Sequence, residues 1–232
     1  MRIPPVLALI AAGLLGGWGG LPTAAAQTAC AELGGTVDQD QVCQVHTANA
    51  AYTLDYTFPE GYPDQQAITG YLIQTRDGFV NVSDMPGSRD QPYVLDARGT
   101  AYTSGAPGLP PRTQSLVFEV YQNVGGAHPQ TWYKAFNYDL LTRAPITFDR
   151  LFKPGTRPLD VIFPIVQREL QKQSGVEQAI PQSVGLDPTH YQNFAITDDS
   201  VIFFFGQGEL LSEAAGATQA SVPRSALAPM LA

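Results

Sequence analysis

The most apolar segment after the N-terminal region is residues 201–205, where five hydrophobic positions follow one another. A segment of alternating polarity precedes it, and the acidic pair Asp198 and Asp199 separates the two. Two runs of β-forming residues around a tight polar turn predict a β-hairpin. Because five consecutive apolar residues leave no side of the strand for water, we expect a central strand covered on both faces. We also expect the core to be built on this hairpin.

Four further segments alternate between hydrophobic and polar positions, the first of them strictly. They are residues 51–58, 93–104, 114–124 and 131–140. A period of two predicts β-strands that bury one face. A short turn with two glycines joins the last two segments, so they form a second predicted hairpin. A connection rich in proline and glycine, residues 105–112, separates the two middle strands.

Two other segments place hydrophobic residues at helical spacing. Pro63 suits the first turn of one helix, and Pro158 opens a second helix that Gly175 ends. Pro164 should kink the second helix unless the helix starts there. Between the strands and this helix, residues 142–152 predict a short strand and a one-turn helix. These elements together predict an α+β fold, with antiparallel or mixed sheets packed against two main helices.

The N-terminal 26 residues have the pattern of a secretory signal peptide. Arg2 supplies an early positive charge, residues 6–15 are apolar, and small residues precede the expected cleavage after Ala26. A retained membrane anchor is the alternative, but the apolar segment falls short of the ~20 residues that a spanning helix needs. We therefore expect a mature protein, residues 27–232, that is exported through a Sec-type signal and is not inserted in the membrane.

Length and charge restrict the organisation and the partners. The mature chain has 232 − 26 = 206 residues, which fits one domain or two intimate halves, 27–141 and 142–232. The net charge of the full chain is −8, and it becomes −9 without Arg2. With no basic run in the sequence, nucleic acid and anionic membranes are poor partners, whereas a basic protein is favoured. We expect a monomer.

Cys30 and Cys43 are the only cysteines of the chain. In an oxidising compartment they should form a disulfide around Gly34 and Gly35, which would stabilise the fold by on the order of 3 kcal/mol. A redox-active pair would favour Cys-x-x-Cys spacing, and a metal site would need ligands besides His46. The spacing therefore indicates a structural disulfide.

The residues that carry chemistry form no recognisable catalytic pattern. His46, His128 and His190 lack the spacing of a metal site, and no Gly-x-Ser-x-Gly motif occurs. Glycoside hydrolysis would need two converging carboxylates, and the spacing selects no pair. The acidic candidates are Glu119, Asp139, Asp149, Glu169 and Glu209. Glu209 is equally explained as a cap of the turn at 210–214. We expect no enzyme activity, no metal and no cofactor.

Long strings of sequence carry a resemblance to a known family. They include VYQNVGGAHPQTWYKAFNYD at 120–139, VIFPIVQRELQKQSG at 161–175, and residues 186–227. The chain resembles the secreted immunogenic antigens of mycobacteria in the MPT/MPB series. That family is similar to the extracellular domain of RsiV-type anti-sigma factors, which bind lysozyme. The resemblance implies a β-grasp-like α+β fold and offers no established catalytic residues.

The second hairpin supplies the predicted partner-binding site. Gly125, Gly126, His128 and Pro129 form its turn, where the glycines should supply positive φ, and Tyr133 follows in the next strand. His128 could instead hydrogen-bond to the neighbouring backbone. We expect a secreted, non-catalytic protein-binding module at the host or cell-envelope interface. Two alternatives remain open: a lysozyme-binding or lysozyme-inhibiting protein, and a glycan-directed hydrolase.

Overall fold

The computed structural model describes residues 28–83, 85, 92–126, 128–175 and 179–232. The predicted signal peptide lies outside the described residues. Within them, no helix combines the length and the apolar character needed to cross a membrane.

The described chain forms ten strands and six helices. The strands are β1 Thr36–Val37, β2 Val42–Ala48, β3 Tyr52–Pro59, β4 Tyr93–Ser104, β5 Thr113–Asn123, β6 Gln130–Asp139, β7 Ala144–Pro145, β8 Phe194–Ile196, β9 Ser200–Phe205 and β10 Thr218–Pro223. The helices are α1 Ala29–Glu32, α2 Gln65–Ser83, α3 Phe148–Leu151, α4 Leu159–Ser174, α5 Gln182–Gly185 and α6 Arg224–Leu227. Two 3-10 turns span Pro188–Tyr191 and Glu213–Ala215.

The first seven strands form one mixed sheet in the order β1-β2-β3-β4-β5-β6-β7. All neighbours are antiparallel except β3 and β4, which run parallel. β3 and β4 run parallel because α2, which connects them, returns the chain to the end of the sheet at which β3 begins. The α+β class predicted from the sequence is confirmed.

The last three strands form a second, antiparallel sheet in the order β10-β9-β8. In its central strand, Phe203 and Phe205 face a core that includes α4, whereas Phe204 faces the first sheet. Residues 201–205 thus form a central strand that is covered on both sides, as the sequence predicted. The molecule is layered as α2, the seven-stranded sheet, the three-stranded sheet and α4.

The apolar interior is divided between the two sheets. One core lies between α2 and the first sheet, and its largest side chains include Tyr56, Phe58 and Phe118. A second core lies between α4 and the second sheet around Phe203 and Tyr191. The prediction that the core is built on the 194–205 hairpin is therefore wrong for half of the molecule, because α2 buries a separate set of side chains.

Polar bonds fix how the two sheets meet. The Asn137 side chain donates to the Phe194 carbonyl at 2.8 Å, and the Ser115 hydroxyl accepts from the Ile196 N–H at 3.1 Å. The Asn193 side chain accepts from the Ala135 N–H at 3.0 Å. Each bond satisfies a backbone group that would otherwise be buried without a partner, so the second sheet has one favoured position on the first.

The N-terminal segment is held by the predicted disulfide. Cys30 and Cys43 are bonded to each other, and both side chains are completely buried. A Cβ added at Gly35 would lie 2.8 Å from Val45 Cγ2 and 2.9 Å from both sulfur atoms. Glycine is therefore required there by close packing.

One local detail decides between two alternatives of the sequence analysis, and two others correct its predictions. Helix α4 begins at Leu159 with Pro164 inside it, which excludes a start at the proline. Only Gly125 of the hairpin glycines has positive φ, at 72°, so Gly126 does not supply one. Glu209 does not cap a helix at 210–214, because the helical turn there begins at Glu213 and Glu209 accepts from the Gly206 N–H instead.

Candidate functional site

The turn between β5 and β6 projects into solvent. His128 and Pro129 are exposed, and the His128 ring makes no hydrogen bond within the described part of the chain. Gly125 lies above the Tyr93 ring, where a Cβ would come within 3.0 Å of the ring edge. Four of the five predicted site residues, Gly125, Gly126, His128 and Pro129, therefore lie together at an accessible tip.

Tyr133 lies away from this tip. Its ring packs against Phe204 of the second sheet with the centroids 5.2 Å apart, and burial raises the pKa of Tyr133 to about 12. The neighbouring Trp132 turns to the opposite side, where its Nε1–H donates to the Tyr71 hydroxyl at 2.9 Å. Both aromatic side chains therefore pack the interior faces of the sheet.

The second sheet covers only part of the first sheet and leaves a polar area that we call the open face. Side chains in register across β2 to β5 share this side of the sheet. The open face consists of His46, Asp55, Asp96, Arg98, Glu119 and Tyr121. It is continuous with the hairpin tip, because Tyr121 pairs with Thr131 at the beginning of β6.

Short charged contacts order the open face. His46 Nδ1 lies 2.6 Å from Asp55 Oδ1, and Arg98 donates to both carboxylate oxygens of Asp96 at 3.1 and 2.7 Å. Glu119 is the register partner of Arg98 on the next strand. With neutral histidine, three carboxylates and one guanidinium give this area a formal charge of −2, which follows from 1 − 3. Such an arrangement suits contact with a positively charged partner.

A second histidine and carboxylate pair lies near the second sheet. His190 Nδ1 is 3.3 Å from Glu209 Oε1, and each side chain is about one-quarter exposed. The other carboxylate oxygen of Glu209 accepts from the Gly206 N–H at 2.7 Å, which fixes the carboxylate. His190 is held by the 3-10 turn Pro188–Tyr191. Glu209 therefore positions the His190 imidazole and leaves the second ring nitrogen, Nε2, available to a substrate or a water.

This pair has two of the parts needed for ester hydrolysis. A carboxylate that orients an imidazole is the arrangement by which histidine acts as a general base toward a hydroxyl or a water. In the described part of the chain, no side-chain hydroxyl is hydrogen-bonded to His190. The geometry therefore supports activation of water more directly than activation of a serine.

The acidic candidates named from the sequence do not share one cleft. Glu119 belongs to the open face, Asp139 ends β6, and Glu209 pairs with His190. Among the described residues, no group of three histidine, cysteine or acidic side chains is placed to hold a metal ion. The two histidine and carboxylate pairs were missed because their members are nine and nineteen positions apart. Register across β2 and β3 could have revealed the first pair, but β2 was not predicted.

The chain is similar to several known proteins. A family model described as "Protein of unknown function (DUF3298)" matches residues 149–225, which contain α4 and the whole second sheet. Esterase Rv3036c of Mycobacterium tuberculosis is 57% identical over 230 residues, 99% of each chain. Immunogenic protein MPB64 of Mycobacterium bovis and immunogenic protein MPT64 of Mycobacterium tuberculosis are each 49% identical over 233 residues, the whole of each chain.

More distant similarities concern parts of the chain or the fold. Peptidoglycan-N-acetylmuramic acid deacetylase PdaC of Bacillus subtilis is 27% identical over 123 residues, 52% of this chain and 26% of that protein. The crystal structure of a DUF3298 family protein from Pseudomonas aeruginosa has a TM-score of 0.57 at 12% identity, and the match covers 84% of this chain and 95% of that one. The structural likeness supports the fold. A full-length relative named an esterase bears against the prediction of no enzyme activity, which stays open.

Proposed function

Because the chain belongs to the mycobacterial family of esterase Rv3036c and the immunogenic proteins MPB64 and MPT64, we propose that it is exported and acts outside the cell by binding a protein partner at the host or cell-envelope interface. The open face and the adjoining hairpin tip form the binding surface. The observation that supports this most is the acidic patch on the uncovered part of the first sheet.

The contacts on the open face favour a basic protein partner. Asp55 and Asp96 lie side by side on parallel strands, and Glu119 follows one strand further. Tyr121 is 37% exposed at the edge of this charged area and can supply an apolar contact. Charge complementarity of this kind speeds association and weakens when salt screens it.

Calorimetric titration of the mature protein with lysozyme tests the proposal, since lysozyme is a basic extracellular protein. We expect micromolar or tighter binding that weakens as salt is raised. The variant carrying Asp55→Asn, Asp96→Asn and Glu119→Gln should bind roughly tenfold or more weakly, because truncating charges at such interfaces costs on the order of 1 kcal/mol or more in total.

A matched control separates this surface from the net charge. The variant carrying Asp40→Asn, Asp149→Asn and Glu213→Gln removes the same three charges from exposed positions outside the open face. It should retain most of the affinity. Equal weakening of the two variants would show that net charge, and not the open face, drives binding. If no heat of binding is detected at low salt or at high salt, lysozyme is ruled out as the partner.

Ester hydrolysis is the second candidate function, and a separate observation favours it. Glu209 is held by the Gly206 N–H and directs its other oxygen at His190. Since a full-length relative is named an esterase, His190, held by Glu209, is the candidate general base. In this reaction His190 would take a proton from water as the water oxygen attacks the ester carbonyl, and it would return the proton to the alcohol oxygen when the ester C–O bond breaks. Glu209 would orient the ring and balance its positive charge.

Hydrolysis of p-nitrophenyl butyrate by the purified protein tests this second function. If the pair is catalytic, His190→Ala should lower kcat/KM by about 10²- to 10⁴-fold, and Glu209→Gln should also lower it, because positioned general bases contribute rate factors of that size. The matched control is His46→Ala, which breaks the exposed pair with Asp55 and should leave the rate unchanged. Wild-type protein without activity, or equal losses at His46 and His190, would exclude the pair. Inactivation by phenylmethylsulfonyl fluoride would indicate a serine nucleophile instead of an activated water.

A further inference from the structure

A cavity of about 510 Å³ opens where the ends of the two sheets meet α3 and the C-terminal segment. Its walls come from the ends of β4, β5 and β6, from β7, and from β8 and β9. The Gly105 N–H donates to the Asp198 side chain at 2.8 Å and ties the 105–112 connection to the turn of the second sheet. The volume lies within the range of about 300–1,000 Å³ that is typical of small-molecule sites.

Arginine side chains converge on this cavity in an otherwise acidic protein. Arg112, Arg150 and Arg224 all line it, three of the 13 lysine and arginine residues of the chain. Arg112 lies 3.8 Å from the Asp139 carboxylate, and Arg224 donates to the Thr197 carbonyl at 3.1 Å. Within the described residues, the Arg150 guanidinium has no hydrogen bond or ion pair. The rim therefore offers at least one free guanidinium.

The opposing negative groups do not cancel this charge. The Asp139 carboxylate already accepts from the backbone N–H groups of Leu141 and Thr142 at 2.8 and 3.0 Å. Asp139 is the only acidic side chain among the lining residues, and Asp198, which lies outside the lining, is committed to Gly105. Three guanidinium groups against one side-chain carboxylate leave the lining with a formal side-chain charge of +2, which follows from 3 − 1, where the whole chain carries −8.

The deeper wall of the cavity is apolar. Ile196 and Val201 of the second sheet are buried there, and Ile146 and Leu151 complete the wall from the side of α3. The only buried hydroxyls on the lining, Ser104 and Thr113, are bonded to each other at 2.6 Å and so offer little to a polar ligand. A ligand that fits has an anionic head for the rim and an apolar body for the interior.

We propose that this cavity binds a medium-chain fatty acid, with its carboxylate on Arg150 and Arg112 at the rim and its alkyl chain against Ile196 and Val201. The planar guanidinium fork matches a carboxylate in two parallel hydrogen bonds, and Arg150 is free to make them. Burial of the alkyl chain supplies the remaining affinity, so each added methylene group should tighten binding by about fourfold until the cavity is full.

Amide chemical shifts of the ¹⁵N-labelled mature protein, titrated with octanoate and decanoate, test the proposal. Saturable shifts should appear at Gly105, Thr113, Ile196 and Val201, with decanoate binding more tightly than octanoate. The double variant Arg112→Gln and Arg150→Gln should weaken decanoate binding tenfold or more. Both arginines are exposed, so the variant should keep its fold, which the dispersion of the same spectrum reports directly.

Two comparisons make the outcome decisive. The control variant Arg157→Gln and Arg168→Gln removes two exposed arginines that do not line the cavity, and it should bind decanoate as the wild type does. Decan-1-ol has the same chain without the charge and should bind at least tenfold more weakly than decanoate to the wild type. Scattered or non-saturating shifts, equal affinity for the alcohol, or equal weakening in both arginine variants would each overturn the proposal.

Discussion

Removal of the Cys30 and Cys43 disulfide should cost about 3 kcal/mol of unfolding free energy. The bond joins residues 13 positions apart, and the chain-entropy relation for a loop of that size gives about 3 kcal/mol at room temperature. The loss arises in the unfolded chain, which gains freedom when the cross-link is absent. For a domain of this size it corresponds to a melting temperature lower by roughly 6–12 °C.

The variant Cys30→Ala with Cys43→Ala keeps the buried site apolar and removes the cross-link. In this variant, helix α1 should stay docked on α2, because the Ala29 N–H donates to the Gln65 side chain at 2.8 Å and Leu33 is buried. Urea unfolding followed by circular dichroism measures the loss. The wild-type protein in reducing agent is the comparison, since it loses the cross-link but keeps both sulfur atoms.

Equal losses in the variant and in the reduced wild type would support the loop-entropy explanation. A loss below about 1 kcal/mol in both would refute it, because a loop of this length cannot be closed at so small an entropic cost unless the unfolded chain already holds it closed. A much larger loss in the alanine variant alone would assign the stabilisation to packing of the sulfur atoms against Gly35 and Val45.

Three further predictions address packing, the sheet interface and acid sensitivity. Gly185→Ala should destabilise by about 1–3 kcal/mol in urea unfolding, because its Cβ would overlap the Phe163 ring. Gly70→Ala, whose Cβ meets nothing within 4 Å, should instead stabilise α2 by about 0.5–1 kcal/mol. Equal effects of the two substitutions would contradict the packing argument. Phe204→Ala should lower the free energy of unfolding by about 3–5 kcal/mol and Phe204→Leu by much less, since the ring packs between the two sheets. A loss under about 1 kcal/mol for Phe204→Ala would show that other contacts hold the sheets together. Desolvation acts to raise the pKa of Asp139, but N–H groups of Thr142 and Leu141 and the charge of Arg112 outweigh it and hold that pKa below its ordinary value. The stabilisation is therefore present above about pH 4 and lost as pH falls through the lowered pKa. Asp139→Asn should thus unfold more easily than wild type at about pH 7, and the difference should shrink as the pH is lowered below about 4; a difference that does not shrink would contradict this assignment.

Local patterns in the sequence were sufficient for most of the elements. The strand at 93–104 and the hairpins around 125–129 and 198–199 were predicted because alternation and turn residues act within a few positions. Strand β2 was missed because only Cys43 and Val45 are buried in it, and β10 was missed because its buried residues are the small Ala220 and Val222. Strands with so few buried positions have little hydrophobic signal.

The candidate sites were less accessible to sequence reasoning. The hairpin tip was identified because its residues are contiguous. The His190 and Glu209 pair and the convergence of Arg112, Arg150 and Arg224 depend on how the second sheet docks on the first. That docking is set by side chains such as Asn137 and Asn193, which hydrogen-bond to backbone groups far away in the chain. No local period records such long-range bonds.

The order of the strands has a consequence for how the protein folds. Within the described chain, both sheets are assembled from strands that neighbour one another in sequence, β1 to β7 in one and β8 to β10 in the other. Within each sheet, a strand can therefore pair with the strand before it as soon as it has been synthesised, without waiting for a distant partner. Only the β3 and β4 pair requires α2 to form first. Pairing of strands that follow one another in the chain favours faster folding than pairing of distant strands, so few unpaired strand edges are exposed while the sheets form, when such edges are most prone to aggregate.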